Sequence, residues 1–249
     1  SQVVEEIDQL TAKYKTLSLA ITDNVLPRKT SKELFENLKT LKKDLHLFSE
    51  IRATTPFQEL KVMKEAGLQE VQIGIEALSS TLLKKLRKGT TTIQNLEIMR
   101  DCELLNITNI SNLILHFPGS GEHDVAETLG NIEFAFPYRP LKAVSFWLGY
   151  GSPVLQNPQI FGIRAVYNHP NWSRLFPPEV SRSLQFMIQA YRGDLGFQKK
   201  IWQPVKRKIE SWQKAYFQMQ KEKPQSSILS LRDGRDFLII RQRRLHKDP

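Results

Sequence analysis

The sequence predicts an α/β fold in which parallel strands form an open doubly wound sheet or a barrel. Two observations about the first 150 residues predict it, together with the spacing of the strands. Short β-rich apolar segments recur there, and amphipathic helical stretches separate them. The predicted strands recur every 25 to 40 residues or so, roughly the spacing that a helical crossover between parallel neighbours requires.

Five predicted strands are rich in branched and aromatic residues, as strands of a parallel sheet usually are. Turn-forming residues bound them, which limits each strand to a short apolar run. In chain order they are SLAIT (18–22), LHLFSEI (45–51), EVQIGI (70–75), ITNISNLIL (107–115) and AVSFWL (143–148).

Residues that can start a helix precede the predicted helices between these strands. Thr30 and Glu33 have the spacing of a capping box, in which a hydroxyl and a carboxylate accept free backbone N–H groups. Pro56 is placed to begin the next helix. Thr91 and Gln94 repeat the capping-box spacing before a longer helix. These signals support an alternating order of strands and helices.

The chain begins with a predicted helix that no strand precedes. Val3, Val4, Ile7, Leu10 and Tyr14 recur on one face of this helix. Because a parallel sheet is normally buried on both faces, we expect a missing edge strand to leave either a docking site for a partner or an exposed edge prone to aggregation. The expected partner is a segment N-terminal to this helix, in cis or as another chain.

The positive charge of the protein is concentrated in its C-terminal part. Residues 1–150 contain 18 Lys and Arg against 19 Asp and Glu, whereas residues 151–249 contain 18 against 7. A basic surface attracts nucleic acid, acidic peptides or anionic lipid, although many basic surfaces are simply solvated. We divide the chain into a barrel domain, 1–153, and a basic C-terminal extension, 154–249.

The extension is predicted to be mainly helical and to end in a β-hairpin. The stretch RSLQFMIQAYR (182–192) predicts a helix, and ILSLRDGRDFLIIR (228–241) predicts a hairpin that turns at Asp233 and Gly234. Between them, a basic amphipathic helix is predicted from apolar residues at helical spacing. These residues are Ile201, Val205, Ile209, Trp212 and Tyr216.

Composition excludes several kinds of protein. Cys102 is the single cysteine, so this chain has neither an internal disulfide framework nor a metal site built from several of its own thiolates. Its apolar runs are far shorter than the roughly 20 residues that cross a membrane. We expect a cytoplasmic protein without a membrane partner. We assign no metal to His116, which we expect to be packed or capped.

Polar residues follow the predicted strands at the edge where parallel α/β folds bind ligands. Asp23 follows the first strand, Arg52 follows the second, and Gly74 and Glu76 end the third. Arg52 can bind a carboxylate through two hydrogen bonds, while Glu76 or Asp23 can bind an ammonium group or ribose hydroxyls. The set predicts a site for a nucleotide that carries an amino acid.

Each of these residues also has a purely structural explanation. Arg52 and Glu76 could form an ion pair without a ligand, and Gly74 could relieve crowding in a barrel. Pro118 and Gly119, after the fourth strand, are suited either to the same ligand or to an ordinary strand-to-helix turn. No residue is assigned a catalytic role from the sequence.

The stretch GIEALSSTLLKKLRKGTTTIQN (74–95), with LILHFPG and GSPV further along, resembles radical SAM enzymes of the class with an N-terminal cobalamin-binding domain. Within that class the chain is most similar to maturases of ribosomally made peptides, whose C-terminal part has the same GSPV, FG and FPP layout. The resemblance implies a partial (β/α) barrel of the radical SAM type that lacks its first strand.

The resemblance also implies a reaction and a cofactor site. The reaction is reductive cleavage of S-adenosylmethionine to a 5′-deoxyadenosyl radical or, with cobalamin, methyl transfer to an unactivated carbon. By position in the family, Arg52 and Glu76 contact S-adenosylmethionine, and Asp23 replaces a glycine-rich turn near the methionine moiety. The segment that begins with Pro118 and Gly119 approaches the adenine.

The sequence departs from the family at the iron–sulfur cluster. The family binds a [4Fe-4S] cluster through a CxxxCxxC loop, which a chain with one cysteine lacks. We therefore expect a fragment without the N-terminal half, inactive alone, that holds a peptide substrate near the basic extension. Two other interpretations remain open. One is a radical SAM relative that modifies or binds RNA, and the other is a non-catalytic remnant that acts as an interaction module.

Overall fold

The structure, a computed structural model, describes residues 2–22, 28–222 and 228–243 of the 249-residue chain. Helices and strands alternate in its N-terminal half, as the sequence predicts. The elements are α1 (Gln2–Tyr14), β1 (Ser18–Ile21), α2 (Arg28–Lys39), β2 (His46–Ile51), α3 (Phe57–Glu65), β3 (Leu68–Ile73), α4 (Ser80–Lys85), α5 (Thr92–Leu104), β4 (Thr108–Asn109), β5 (Asn112–Leu115), α6 (Glu122–Ala135) and β6 (Lys142–Ser145).

The strands of this half run parallel and follow one another in chain order. β1, β2, β3 and β4 form a four-stranded parallel sheet, and β5 pairs in parallel with β6. Glu76, just beyond β3, forms a parallel bridge with Leu113 of β5 and so connects the two sheets. The predicted partial (β/α) barrel is confirmed, with helices as the crossovers between strands.

The fourth predicted strand, 107–115, is divided into β4 and β5. At the break, the Ile73 N–H donates to Ser111 Oγ at 2.8 Å instead of to a backbone carbonyl. The Ser111 hydroxyl in turn donates to Asn109 Oδ1. Side chains therefore interrupt the backbone ladder here, which an apolar pattern along one segment does not reveal.

The two predicted capping boxes have different outcomes. The Thr91 box is confirmed, because Thr91 Oγ1 accepts the Gln94 N–H at 3.2 Å and Gln94 Oε1 accepts the Thr91 N–H at 2.9 Å. The Thr30 box is wrong, because α2 already includes Arg28 and Thr30 lies inside the helix. Spacing identifies a suitable side chain, but a cap also needs a non-helical backbone at that residue.

The N-terminal helix buries only part of its apolar face. Val4 and Ile7 are buried, whereas Val3, Leu10 and Tyr14 are exposed. Among the described residues, β1 pairs with β2 alone, and its side chains are exposed or half-buried. This edge of the barrel therefore carries apolar surface that the described residues leave uncovered.

The C-terminal segment contains a small antiparallel sheet that the sequence does not predict, in which β9 lies between β7 and β8. The predicted terminal hairpin is confirmed as β10 and β11. The elements are β7 (Leu148–Gly149), α7 (Pro153–Gln156), β8 (Ala165–Asn168), α8 (Trp172–Leu175), α9 (Pro178–Ser183), β9 (Ile188–Arg192), α10 (Leu195–Ile201), α11 (Gln203–Glu222), β10 (Leu229–Asp233) and β11 (Leu238–Gln242).

The helix predicted over 182–192 is wrong. α9 ends at Ser183, and the second half of the stretch forms β9, which pairs along most of its length with β8. In the segment between α9 and β9, Phe186 stacks on Trp172 with ring centroids 4.5 Å apart. These contacts join residues that are distant in sequence, so tertiary pairing overrides the local helical pattern.

Buried tryptophans attach the C-terminal segment to the barrel. Trp202 is fully buried, and its indole N–H donates to Ser120 Oγ at 2.9 Å. Trp212 Nε1 donates to the carbonyls of Phe136 at 3.1 Å and Tyr138 at 3.0 Å. One hydrophobic core includes side chains from both sides of the predicted domain boundary. The boundary itself stays a prediction.

Candidate functional site

Strands β2 and β3 end side by side at the predicted ligand-binding edge. Ile51 of β2 pairs with Ile73 of β3, so the next residues, Arg52 and Gly74, leave the sheet at the same level. Arg52 is exposed, and its guanidinium has no ion pair or hydrogen bond with any residue in the described ranges. Asp23 lies outside the described residues, so its assigned role stays a prediction.

Glu76 has a strained backbone that its surroundings hold in place. Its φ of 58° is left-handed, which costs an ordinary residue about 1 to 2 kcal/mol. Asn95 Nδ2, on α5, donates to the carbonyls of Ile75 at 3.1 Å and Ala77 at 3.0 Å, on either side of Glu76. The Ile114 N–H donates to the Glu76 carbonyl at 2.8 Å. Strained residues of this kind are often found at functional sites.

The carboxylate of Glu76 pairs with a lysine rather than with Arg52. Lys88 Nζ lies 3.1 Å from Glu76 Oε1, and both side chains are partly exposed. A Cβ added to Gly74 would lie 3.3 Å from Lys88 Nζ and 4.0 Å from Glu76 Oε1. Glycine therefore leaves space that this ion pair uses. A strand-end ion pair without a ligand therefore exists, as one structural explanation expected, but its cation is Lys88 and not Arg52.

Pro118 and Gly119 lie in the loop after β5, next to the C-terminal segment. Gly119 has a φ of 74°, and its carbonyl accepts a hydrogen bond from Lys85 Nζ at 2.7 Å. A Cβ on Gly119 would meet the backbone of Phe161 at 3.5 Å. Both loop residues line a small cavity of about 160 Å³. These contacts give the loop a structural role, and its approach to an adenine stays a prediction.

A larger cavity, of about 640 Å³, lies between the ends of β5 and β6 and the small antiparallel sheet. His116 is half-buried in its wall, with a left-handed φ of 61° and with Nδ1 3.3 Å from Ser145 Oγ. Burial lowers the pKa of His116, and the cations Lys199 and Lys206 lower it further. We therefore expect a neutral imidazole at neutral pH.

The described residues offer no place for an iron–sulfur cluster. Cys102 is only 1% exposed. Burial raises the pKa of its thiol, and the charges of Asp101 and Glu103 add to the increase. A buried, protonated thiol is a poor metal ligand. In the described ranges, no group of three His, Cys, Asp or Glu could hold a metal ion, and no helix is long and apolar enough to cross a membrane.

Sequence reasoning missed the roles of Asn95 and Lys88. Asn95 lies on the buried side of α5, near Ile98 and Met99 in sequence. A polar amide on an apolar helix face is a usable signal, because a buried amide needs hydrogen-bond partners. Lys88 has no such signal, since a partly exposed lysine beside a helix end is common on protein surfaces.

Comparisons with known proteins agree with this architecture. Residues 1–132 match the family model described as the radical SAM superfamily. Over 131 residues, or 51% of this chain, the sequence is 24% identical to an uncharacterized methyltransferase from Pyrococcus horikoshii. The match covers 28% of that protein, so this chain spans well under half the length of its curated relative.

The solved structure of a radical enzyme shows a similar fold. The radical S-adenosylmethionine methyltransferase TsrM from Kitasatospora setae is 17% identical, with a TM-score of 0.58 over 84% of this chain and 45% of that one. TsrM has been solved with tryptophan and an S-adenosylmethionine analogue, and with cobalamin and a [4Fe-4S] cluster. The cobalamin-dependent radical enzyme OxsB is 19% identical, with a TM-score of 0.49 over 64% of this chain and 26% of that one.

Proposed function

Because this chain belongs to the radical SAM superfamily, we propose that it is the part of a radical SAM methyltransferase that faces S-adenosylmethionine and the substrate. The reaction we propose is cobalamin-dependent methylation of carbon, or another maturation step, on a ribosomally made peptide. The observation that carries the proposal is the strand-end geometry. Arg52, which has no ion partner in the described part of the chain, follows β2 at the level where β3 leads into the strained Glu76. The similarity to a methyltransferase supports the methyl-transfer reaction.

Arg52 supplies the anion-binding group of this site. A guanidinium can bind a carboxylate through two parallel hydrogen bonds, and S-adenosylmethionine carries one carboxylate on its methionine moiety. Arg52 is exposed and has no ion partner among the described residues, so no pair with those residues competes with that carboxylate.

Glu76 supplies the group that binds hydroxyls. Lys88 contacts Oε1, which leaves Oε2 to accept a hydrogen bond from a ribose hydroxyl. Asn95 positions this carboxylate indirectly, since its two hydrogen bonds restrain the backbone on both sides of Glu76. Bound S-adenosylmethionine would supply the radical or the methyl group, while these residues bind and orient it.

The [4Fe-4S] cluster does not fit the residues of this chain, because Cys102 is its only thiol and is buried. No step through the cluster is therefore derived. Its ligands are proposed to come from the N-terminal half of the enzyme, in cis or as another chain. Cobalamin is proposed from the likeness to TsrM, and no residue of this chain is assigned to it.

Titration of this chain with S-adenosylmethionine, followed by ligand-observed NMR, tests the proposed site. We expect binding that is weakened about tenfold by Arg52→Ala and by Glu76→Gln, because each variant loses a charged hydrogen-bonding group. Arg207→Ala and Glu97→Gln change exposed residues elsewhere and should bind like the parent chain. Equal affinity in all of these proteins, or no binding by the parent, would contradict the proposal.

RNA modification or RNA binding is a second candidate function. The observation that favours it is the excess of 18 Lys and Arg over 7 Asp and Glu in residues 151–249. Among these, Lys206, Arg207 and Lys214 are exposed on α11. A surface that neutralises several phosphates must lose RNA affinity steeply as salt concentration rises. Filter-binding titrations that show no RNA binding at low salt would remove this candidate.

A further inference from the structure

We propose that the 640 Å³ cavity binds a planar aromatic group of the substrate together with a neighbouring carboxylate. The cavity lies between the ends of β5 and β6 on one side and the antiparallel sheet with α8 on the other. This inference rests on the proposed function, because it names the substrate group that the same enzyme would take. Its volume is within the range of about 300 to 1,000 Å³ that is typical of small-molecule sites.

The walls of the cavity are mainly aromatic and aliphatic. Such surfaces favour apolar ligands, and flat rings pack well against aromatic side chains in stacked or edge-to-face arrangements. The aromatic lining residues are Phe146, Trp147, Tyr167, Trp172 and Tyr191.

One wall presents a flat apolar surface. The Trp172 indole stacks on Phe186 at a centroid distance of 4.5 Å and an interplanar angle of 12°. Phe186 stacks in turn on Phe176 at 5.3 Å. Trp172 Nε1 donates to the Ile188 carbonyl at 2.9 Å, so its one donor is already used. The ring therefore offers packing surface rather than a hydrogen bond to a ligand.

A second part of the wall connects the cavity to the barrel core. Phe146 packs edge-to-face with Tyr191, with centroids 6.2 Å apart, and with the buried Phe117, at 5.1 Å. Burial raises the pKa of Tyr191, so its phenol stays neutral and does not repel an anion. A planar ring in the cavity would thus find aromatic surface at Trp172 and at Phe146.

The ionisable groups in the wall select the charge of the ligand. They are Lys199, His116 and His169, and no carboxylate lines the cavity among the described residues. Burial lowers the pKa of His116, whereas Lys199 contributes an ammonium group to the wall. A carboxylate on the ligand can form a charge-assisted hydrogen bond with this ammonium group, which an uncharged ligand cannot do.

The cavity is also close enough to the nucleotide edge to hold a substrate. His116 lies in its wall, and Leu113, three residues earlier on β5, forms the bridge to Glu76. Three residues of extended strand span about 10 Å. A ligand in the cavity would therefore lie along the barrel edge beside the proposed S-adenosylmethionine site.

The carboxylate can come from two sources. It can be the α-carboxylate of the aromatic residue itself, or the side chain of an acidic neighbour in a peptide. Three phenylalanine derivatives distinguish them: N-acetylphenylalanine, acetyl-aspartyl-phenylalaninamide and the neutral N-acetylphenylalaninamide. N-acetylcyclohexylalanine keeps the acid but replaces the flat ring by a puckered one, so it tests the requirement for planarity.

Tryptophan fluorescence of the chain reports binding of these probes, because phenylalanine is transparent where tryptophan is excited. Of the four tryptophans, Trp147 and Trp172 line the cavity, whereas Trp202 and Trp212 are fully buried in the core. We expect a saturable change with at least one of the two acidic phenylalanine probes. The neutral amide and the cyclohexyl acid should bind at least about tenfold more weakly. The acidic probe that binds better identifies the source of the carboxylate.

Two pairs of variants locate the effect. Lys199→Gln should weaken the better acidic probe about tenfold and abolish the preference over the amide, whereas Lys200→Gln, the next residue on α10, should change neither. Trp172→Ala should abolish binding, while Trp172→Phe, which keeps an aromatic wall, should retain most of it. Probe binding by Trp172→Phe would also show that Trp172→Ala loses binding because it lacks the aromatic ring.

Several results would overturn the inference. They are the absence of a saturable change with either acidic probe, equal affinity for charged and neutral probes, and equal affinity for flat and puckered rings. The S-adenosylmethionine titration separates the two proposals. If S-adenosylmethionine binds and the acidic probes do not, only the cavity assignment fails. If the acidic probes bind and S-adenosylmethionine does not, the proposed function fails and the ligand chemistry of the cavity stands.

Discussion

The barrel half and the C-terminal segment are built by different kinds of contact. In the barrel, strands pair in chain order, and a helix such as α5 is capped by its own neighbours, Thr91 and Gln94. In the C-terminal segment, β9 lies between β7 and β8, and Trp202 bonds to Ser120, 82 residues earlier. The comparison teaches that local sequence specifies the barrel elements, whereas the C-terminal segment depends on the barrel as a template.

Removal of Trp202 tests that dependence and has the largest expected effect. Trp202→Ala deletes a fully buried aromatic ring and leaves Ser120 without its indole donor, so we expect a loss of about 3 to 5 kcal/mol of unfolding free energy. Urea unfolding followed by circular dichroism measures it. Phe134→Ala removes a ring that is 72% exposed and should cost no more than about 0.5 kcal/mol. Similar losses in both variants would contradict the dependence.

Removal of Asn95 tests the hydrogen bonds that restrain the backbone around Glu76 in the barrel half. Asn95→Ala leaves the carbonyls of Ile75 and Ala77 without their side-chain donor, so we expect a loss of about 2 to 3 kcal/mol and weaker S-adenosylmethionine binding. Asn131 donates a single bond to the Leu78 carbonyl, at 2.9 Å. Asn131→Ala should therefore cost about 1 kcal/mol and leave affinity unchanged. Unchanged affinity in Asn95→Ala would show a role in stability alone.

Glu103 connects the two regions and should make their association depend on pH. It accepts hydrogen bonds from Tyr216 Oη at 2.9 Å and from the Ile228 N–H at 2.8 Å. Burial raises the pKa of Glu103, with smaller opposing effects from these bonds. Its stabilising contribution is therefore complete below about pH 4.3 and is lost as pH rises through the folded pKa.

Glu103→Gln should remove this part of the pH dependence. The difference in unfolding free energy between wild type and variant should change by about 1.4 kcal/mol for each unit of the pKa shift and become constant at higher pH. Urea midpoints at a series of pH values measure it. A difference that stays constant from acid to neutral pH would contradict an elevated pKa at this carboxyl group.

The smallest expected effect concerns Gly74. A Cβ there would lie 3.3 Å from Lys88 Nζ, so Gly74→Ala should displace the lysine from Glu76 and cost less than about 1 kcal/mol, because the ion pair is partly exposed. Gly130→Ala, inside α6 with no atom within 4 Å of the added Cβ, should stabilise by up to about 1 kcal/mol. Unfolding experiments that find the same sign for both would refute this account of Gly74.

Part of the candidate site could be predicted from the sequence. Arg52, Gly74 and Glu76 follow apolar strands of a βα pattern, and parallel strands bring such residues to one edge. The ion partner of Glu76 could not be predicted, because Lys88 reaches it from a loop. The carbonyls that Asn95 binds on either side of Glu76 could not be predicted either, because they depend on how α5 packs against the barrel. The role of His116 in the cavity wall was missed for the same reason, since most of the other lining residues lie 50 or more positions later in the sequence.

The sequence by itself determined the order of strands and helices in the barrel, the cap at Thr91 and the terminal hairpin. These features depend on hydrophobic periodicity and on hydrogen bonds between near neighbours. Only the tertiary structure decided that 182–192 contains a strand and that Thr30 lies inside a helix. It also decided that aromatic side chains line a cavity beside the barrel. Those outcomes depend on contacts between distant segments, whose free energy outweighs weak local preferences.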